Sequence, residues 1–196
     1  MPVIIPDLSH YEKCYVDPHE LDGPAFINKV SQGASFVDST WHNRAIDILE
    51  HGELIGGYHF CTADGRADQA TNFLSAVHSA LGTTNIPQLK LFVDYEDYPE
   101  SQPTIRRVEQ IITTVMLATG RKPAVYMSLD TWKNSHSSNI IMGCDLWLAE
   151  YGPVAKAPHK LWQFTDAYTG FPAINVPCDA SKWDGDVAAL ATWWAT

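Results

Sequence analysis

The sequence is short of positive charge: across 196 residues, 13 Lys and Arg stand against 23 Asp and Glu, a formal net charge of −10. A phosphate backbone is bound by clustered cations that displace its counterions, and no basic run is present, so nucleic acid is not an expected partner. Long apolar runs are missing too. None approaches the ~20 residues that span a bilayer, so no membrane association is expected. The opening Met1-Pro2-Val3-Ile4-Ile5-Pro6-Asp7 has neither the charged nor the apolar segment of an export signal. The four cysteines, Cys14, Cys61, Cys144 and Cys178, are too far apart for a C-x-x-C redox or zinc pattern. They are expected to be partly buried thiols, with one disulfide as the alternative. Internal repeats, low-complexity linkers and shifts of composition are also absent, which predicts one domain over residues 1–196.

What the chain does hold is apolar and aromatic. Hydrophobic residues make up 45%, enough for one sizeable core, and seven Trp, eight Tyr and seven Phe exceed what such a core needs. At least half of these rings should be core. The surplus suits a carbohydrate cleft, where flat aromatic faces meet the apolar faces of sugars.

Strand-like and helix-like runs alternate through the first two thirds. Val3-Ile4-Ile5 is a first strand ending at Asp7-Leu8-Ser9. The spacing of Leu21, Phe26, Ile27 and Val30 predicts a helix over residues 18–30, interrupted near its start by Gly23-Pro24 and stopped by Gly33. Phe36-Val37 begins a second strand, residues 41–49 a helix, 54–60 a third strand and 64–80 a helix. The central strand follows from Leu89, then a helix over 103–119 and a fifth strand over 124–128. Such alternation implies a parallel sheet with right-handed crossovers. Residues 146–149, 161–164 and 174–176 are also strand-like, but their connections are about as short as, or shorter than, the ~10 to 12 residues a helical crossover needs. Residues 187–194 read as a terminal helix. The expected fold is α/β, a closed but irregular relative of the (β/α)8 barrel. Reactive groups in such barrels come from the C-terminal ends of strands, where this count puts Asp7, Tyr58, Glu96, Tyr126, Tyr151 and Asp179.

Residues 90–98, Lys90-Leu91-Phe92-Val93-Asp94-Tyr95-Glu96-Asp97-Tyr98, form an apolar strand that runs into acids and aromatics. Alternation puts Phe92, Asp94 and Glu96 on one face and Leu91, Val93 and Tyr95 on the other. At ~3.3 Å per residue the Asp94 and Glu96 side chains can converge on one small object. Like charges so close cannot both ionise cheaply, so one carboxyl should keep its proton towards neutral pH while the other stays charged. A proton donor beside an anion suits cleavage of a glycosidic bond. The alternative is a solvated strand end paired with Arg106 or Arg107.

Seven short motifs, in order, carry a resemblance. They are Asp7-Leu8-Ser9, Gly57-Tyr58-His59-Phe60, Asp94-Tyr95-Glu96, Tyr126-Met127-Ser128, Trp147-Leu148-Ala149-Glu150-Tyr151, Trp162-Gln163-Phe164-Thr165 and Cys178-Asp179-Ala180-Ser181. Together they resemble the family 25 glycoside hydrolases, the Chalaropsis-type lysozymes or muramidases of bacteriophages, bacteria and fungi. The resemblance implies an irregular TIM-like (β/α)5β3 barrel with Glu96 as general acid/base and Asp94 as the carboxylate that positions the reacting N-acetyl group. Asp7 and Asp179 match two further cleft acids, and Tyr58, Phe60, Tyr126, Tyr151 and Gln163 are the implied sugar-binding residues. The implied substrate is bacterial peptidoglycan, cut at the β-1,4 bond from N-acetylmuramic acid to N-acetylglucosamine with net retention. The sugar's acetamido oxygen then takes the place of a protein nucleophile. No metal or cofactor is implied, and the enzyme is expected to be a monomer. It would meet the wall after release by a phage holin or as a secreted mature enzyme. Two departures are visible. Asp38-Ser39-Thr40-Trp41-His42-Asn43 stands where the family's second strand leads into a K-A-T-E-G-like run, which predicts a different cleft wall, and Ser181 stands where Asn or Asp is more usual.

Other readings compete. His10, His42 and His59 with Asp7 and Asp94 could form a hydrolytic metal site. If Tyr58 and Phe60 face the lumen, however, His59 must point into the helix layer. Trp162 is expected to pack rather than bind sugar. A barrel that binds glycans without cleaving them would keep the aromatics but would not need all four acids. A chitinase-like hydrolase needs a longer D-x-x-D-x-D-x-E run than residues 90–96 supply.

Overall fold

The computed structural model describes residues 2–12, 23–63, 69–172 and 174–196. Among these residues lie nine strands: β1 (Val3–Leu8), β2 (Ala25–Gln32), β3 (Phe36–Val37), β4 (Leu54–Phe60), β5 (Leu89–Asp94), β6 (Ala124–Ser128), β7 (Leu146–Ala149), β8 (Leu161–Tyr168) and β9 (Cys178–Trp183). All but β3 close into a barrel in the order β1-β2-β4-β5-β6-β7-β8-β9, with β9 returning to β1. Every pairing from β1 round to β8 is parallel. Only β9 runs against its neighbours. The short β3 pairs antiparallel with β2 alone.

The described helices are α1 (Trp41–Glu50), α2 (Gln69–Leu81), α3 (Ile105–Thr119), α4 (Leu129–Asn134), α5 (Asn139–Met142) and α6 (Val187–Trp194). Helix α3 shows how local sequence sets the bounds. The Thr104 side chain accepts from the backbone N–H of Arg107 at its start, and Gly120 ends it at φ 71°, a conformation that costs glycine little. No helix among the described residues is long and apolar enough to cross a membrane.

Strands buried on both faces divide the core in two. Phe26, Val30, Trp41, Phe73, Leu91, Val93, Val108, Ile112 and Val125 fill the layer between barrel and helices. Ile5, Ile27, Phe92, Trp147, Leu161, Trp183 and Trp194 fill the barrel interior. Helix α6 closes one end: the Trp194 indole donates to the Ile55 carbonyl at 2.9 Å, and Lys90 donates to the carbonyls of Trp193 and Thr196. With that end sealed by tryptophan, the opposite end is the one open to a ligand.

Three expectations are corrected. The helix expected over residues 18–30 is absent as such, because residues 25–32 form β2, the second barrel strand, while residues 18–22 lie outside the described set. All but the last β2 residue is buried, between lumen and helix layer, so the polar/apolar alternation of a half-exposed strand is missing. The expected eighth strand at 174–176 is displaced to β9; Ile174 instead packs with Leu8 and Cys178. The expectation that residues 38–43 follow the second barrel strand is also corrected, because that strand is β2, which ends in Lys29-Val30-Ser31-Gln32 before Gly33, whereas residues 38–43 follow the short β3. Two short helices, α4 and α5, also occupy the link from β6 to β7. Residues 64–68 of the helix expected over 64–80, and Cys14, lie outside the described residues.

One irregularity matters for the site. The register of β2 on β4 slips between Lys29 and Ser31, a β-bulge. Val30 enters the outer core, and Ser31 also turns outward to meet the Nδ1 of His59 at 2.8 Å. With two successive residues facing out, Lys29 and Gln32 both come to the lumen side, and the Lys29 ammonium donates to Gln32 Oε1 at 2.6 Å.

Candidate active site

At the open end, a cleft of about 170 Å³ is lined by side chains from β1, β2, β4, β5, β6, β7, β8 and β9. Strand β5 delivers its residues as alternation requires. Phe92 faces the interior, Leu91, Val93 and Tyr95 face the helix layer, and Asp94 and Glu96 line the cleft, Glu96 two residues beyond the strand's last residue. Asp7 of β1 lies directly across from Asp179 of β9 in the antiparallel register. Such cross-strand partners have Cβ atoms ~4.5–5.5 Å apart, so these two carboxyls are also close neighbours. Asp179 sits near the N-terminal end of its strand, not the C-terminal end expected from sequence. It reaches the same rim because β9 runs the other way.

Gln163 ties the acids together. Buried at 1% exposure, its Nε2 donates to Asp7 Oδ2 at 3.2 Å and Asp179 Oδ2 at 3.0 Å, while its Oε1 accepts from the Tyr126 hydroxyl at 2.8 Å and the Tyr151 hydroxyl at 3.4 Å. The Tyr126 hydroxyl is shared with Glu96. One amide therefore fixes two carboxylates and two phenols, a role beyond the sugar contact expected of Gln163. Tyr58 and Phe60 line the cleft, with Phe60 edge-on to Tyr98. Tyr151 is exposed and stands at the rim.

Burial is the leading cause of the shift at every one of the four acids. It raises Asp7 well above the usual carboxylate range, helped by Asp179 and Glu12 and opposed by the Gln163 hydrogen bond. Asp94 is likewise raised well above that range by burial, then by Glu96 and Asp7, with Lys29 pulling the other way. Glu96 is raised by burial, against the Tyr126 hydrogen bond and Lys29. Asp179 is pushed up to about 7 by burial, Glu12, Asp166 and Glu96, with Gln163 opposing. The Oδ1 atoms of Asp7 and Asp94 are buried without a hydrogen-bond partner. Buried acceptors left unmet cost free energy, so the cleft is built to receive donors or positive charge from a ligand.

Of the residues singled out by sequence, the structure brings Asp7, Tyr58, Phe60, Asp94, Glu96, Tyr126, Gln163 and Asp179 to the cleft lining, and Tyr151 to its edge. Trp162 packs in the outer core, its indole donating to the Glu150 carbonyl at 2.7 Å. His59 is fully buried in the helix layer between Ser31 and Gln69, and its pKa is lowered to about 4 by burial. His10 contacts Asp38 at 2.7 Å. Three lining residues had no place in the expected site: Tyr11, Lys29 and Trp147. Trp147 donates to the Ser181 hydroxyl at 2.8 Å, so the small Ser181 side chain anchors the ring that floors the cleft. Lys29 was hidden by the helix reading; its spacing of two from Ile27 is the signal a strand reading would have used.

The sequence profile described as Glycosyl hydrolases family 25 matches residues 7–170. No curated protein matches the chain. Several solved structures share its fold. One is a bacterial lysozyme from Streptomyces coelicolor, with a TM-score of 0.83 and 16% identity, covering 100% of this chain and 98% of that one. A family 25 lysozyme from Aspergillus fumigatus gives 0.78 and 18%, covering 100% of both chains. The catalytic domain of an endolysin from a bacteriophage of Listeria monocytogenes gives 0.76 and 24%, covering 97% of both. At such identities the likeness concerns the fold, and it is the profile match across most of the chain that carries the family. The chain belongs to the glycosyl hydrolases of family 25 and is a glycoside hydrolase on the irregular α/β barrel it shares with those lysozymes.

Proposed function

We propose that this chain is a lysozyme of the muramidase type, acting as one catalytic domain on the β-1,4 bond between N-acetylmuramic acid and N-acetylglucosamine in bacterial peptidoglycan. The observation that carries this reading is the convergence of Asp7, Asp94, Glu96 and Asp179, from three strands, on one aromatic-walled cleft. Negative charge gathered there favours a cationic transition state and keeps a proton on at least one carboxyl at neutral pH.

Glu96 is the general acid. It lies beyond the end of β5 and is less deeply buried than Asp94, so it is the carboxyl within reach of a leaving oxygen. Asp94, with its unmet Oδ1, accepts from the acetamido N–H of the bound sugar and aligns that group. The acetamido oxygen attacks the anomeric carbon as Glu96 protonates the departing oxygen, and the cyclic cation is held by Asp94, Asp7 and Asp179. Glu96, now a carboxylate, takes a proton from water as that water opens the cation, which restores the starting configuration and the enzyme. Tyr58, Phe60 and Tyr126 offer ring faces to the sugars, and Gln163 keeps the acids in place.

Clearing of a peptidoglycan suspension set beside one of chitin tests this, with the anomer formed at early times followed by NMR. Clearing of peptidoglycan alone with first release of the β anomer is the expected result. Chitin hydrolysis without peptidoglycan hydrolysis, or first release of the α anomer, contradicts it.

A further inference from the structure

Lys29 is the only cation among the described residues that line the cleft, and it is 4% exposed. Its ammonium lies 4.9 Å from the centre of the Phe60 ring and 5.8 Å from those of Tyr11 and Phe36. Its hydrogen-bond partner, Gln32, is neutral, and the β2 bulge is what lets the two side chains meet. The charge is therefore not cancelled where it sits and acts on the carboxylates around it. These are Asp94 and Glu96 from the end of β5, Asp7 from β1, and Asp38 beyond β3. Asp38 is already engaged by His10 and by Thr40, which leaves the cleft acids as the groups the ammonium can bias. Glu12 and Asp179 face Asp7, Asp166 faces Asp179, and Tyr126 faces Glu96.

Burial alone distributes the proton the wrong way. Asp94 is 5% exposed and lies deeper than Glu96, so desolvation favours the neutral form at Asp94 more than at Glu96. A proton resting on Asp94 would leave Glu96 ionised and without a proton to give. Of the carboxylates acting on Lys29, Asp94 has the largest effect. We infer that Lys29 is a positioning residue of the reaction, whose ammonium, paired with an amide rather than a carboxylate, offsets part of the burial that favours the proton on Asp94 and so raises the share of enzyme in which Asp94 is ionised and the transferable proton sits on Glu96.

This inference rests on the assignment of Glu96 as general acid, and its test separates the two. The kcat/KM profile against pH is measured on peptidoglycan for the wild type, Lys29→Gln, Lys29→Arg and Gln32→Glu, with ¹³C carboxyl titrations of the same proteins without substrate. Lys29→Gln should move the acidic limb of the profile to higher pH by up to about 1 unit, since removing an opposite charge raises a neighbouring carboxyl. Lys29→Arg should restore the limb, and Gln32→Glu, which keeps the lysine but pairs it with a carboxylate, should move it in the same direction as Lys29→Gln. The Asp94 titration should rise in parallel in both. An unmoved limb in Lys29→Gln and Gln32→Glu, or a loss of rate equal at every pH, overturns the inference. Should the wild type leave peptidoglycan intact, the assignment of function fails, while the carboxyl titrations still decide whether Lys29 governs Asp94.

Discussion

Single side chains in this cleft carry opposed demands, because a carboxyl useful for catalysis is one the fold would rather see neutral. Replacing Glu96 by Gln keeps its shape and hydrogen-bonding reach but removes the proton, so kcat should fall by ~10²–10⁴ with KM little changed. Asp94→Asn should be similarly damaging, because its charge and alignment act in the transition state. Asp7→Asn and Asp179→Asn should cost less, and by removing a like charge each should lower the Glu96 pKa and shift the basic limb of the activity profile to lower pH. Equal kcat in Glu96→Gln and wild type would reassign the acid. Stability should move in the opposite sense from activity at Asp179. Its pKa rises from 3.8 to about 7 on folding, so the folded protein binds this proton more tightly than the unfolded chain. The stability this confers is complete below about pH 4 and is lost as pH rises towards 7. Asp179→Asn should therefore stabilise by about 1–2 kcal/mol at pH 8, discounted because water reaches this carboxylate, and by nothing at pH 4. Thermal unfolding at the two pH values measures the difference, and an equal gain at both would contradict it. Asp94 and Glu96 were legible in the sequence because an apolar strand ends there in alternating acids. Lys29 was not, since a lone lysine in a buried run looks like the polar face of a helix.

At the scale of elements, legibility followed exposure and length. The helices α1 and α3, with one apolar face each, were predicted within two residues of their observed bounds. Strand β2 was lost because both its faces are buried and its polar residues, Asn28, Lys29 and Ser31, are buried with them, so period two never appears. The Gly23-Pro24 pair, taken as an interruption within a helix, marks the start of the strand. Strand β9 was misplaced for a related reason. Its lumen face carries Asp179 and Ser181, which serve the site, before reaching the core residue Trp183, while the nearby Ile174 and Val176 offered a stronger hydrophobic signal. The side of β4 that meets β2 is set by glycine. A Cβ on Gly57 would lie 2.7 Å from Val30 Cγ2 and 3.0 Å from Trp41 Cη2, at the bulge that turns Lys29 into the cleft. Gly57→Ala should cost ~1–3 kcal/mol by overpacking and should reduce activity beyond what the loss of folded protein explains. Denaturant unfolding beside specific activity tests this, and unchanged stability would show that β2 can yield without consequence.

For the whole molecule, barrel closure does what no local sequence could. Asp7 and Asp179 lie near opposite ends of the chain, yet they face each other because β9 turns back and seals the sheet against β1. Asp94 and Glu96 enter from a third strand, so the acidic cleft exists only when the barrel is complete. That architecture was foreseeable from the alternation of strands and helices and from seven motifs in order, whereas the antiparallel sense of the last strand was missed: the short link after β8 is the signal for it, but the strand was expected at residues 174–176 and parallel to its neighbours. If this closed cleft cleaves on the reducing side of N-acetylmuramic acid, as proposed above, the newly formed chain end identifies it directly. Purified peptidoglycan is digested, the products are reduced with borohydride, and the terminal sugar alcohol is identified by mass spectrometry. Muramitol ends that accumulate with time and disappear in Glu96→Gln are the predicted result. Glucosaminitol ends, or muramitol ends formed equally by Glu96→Gln, would contradict it.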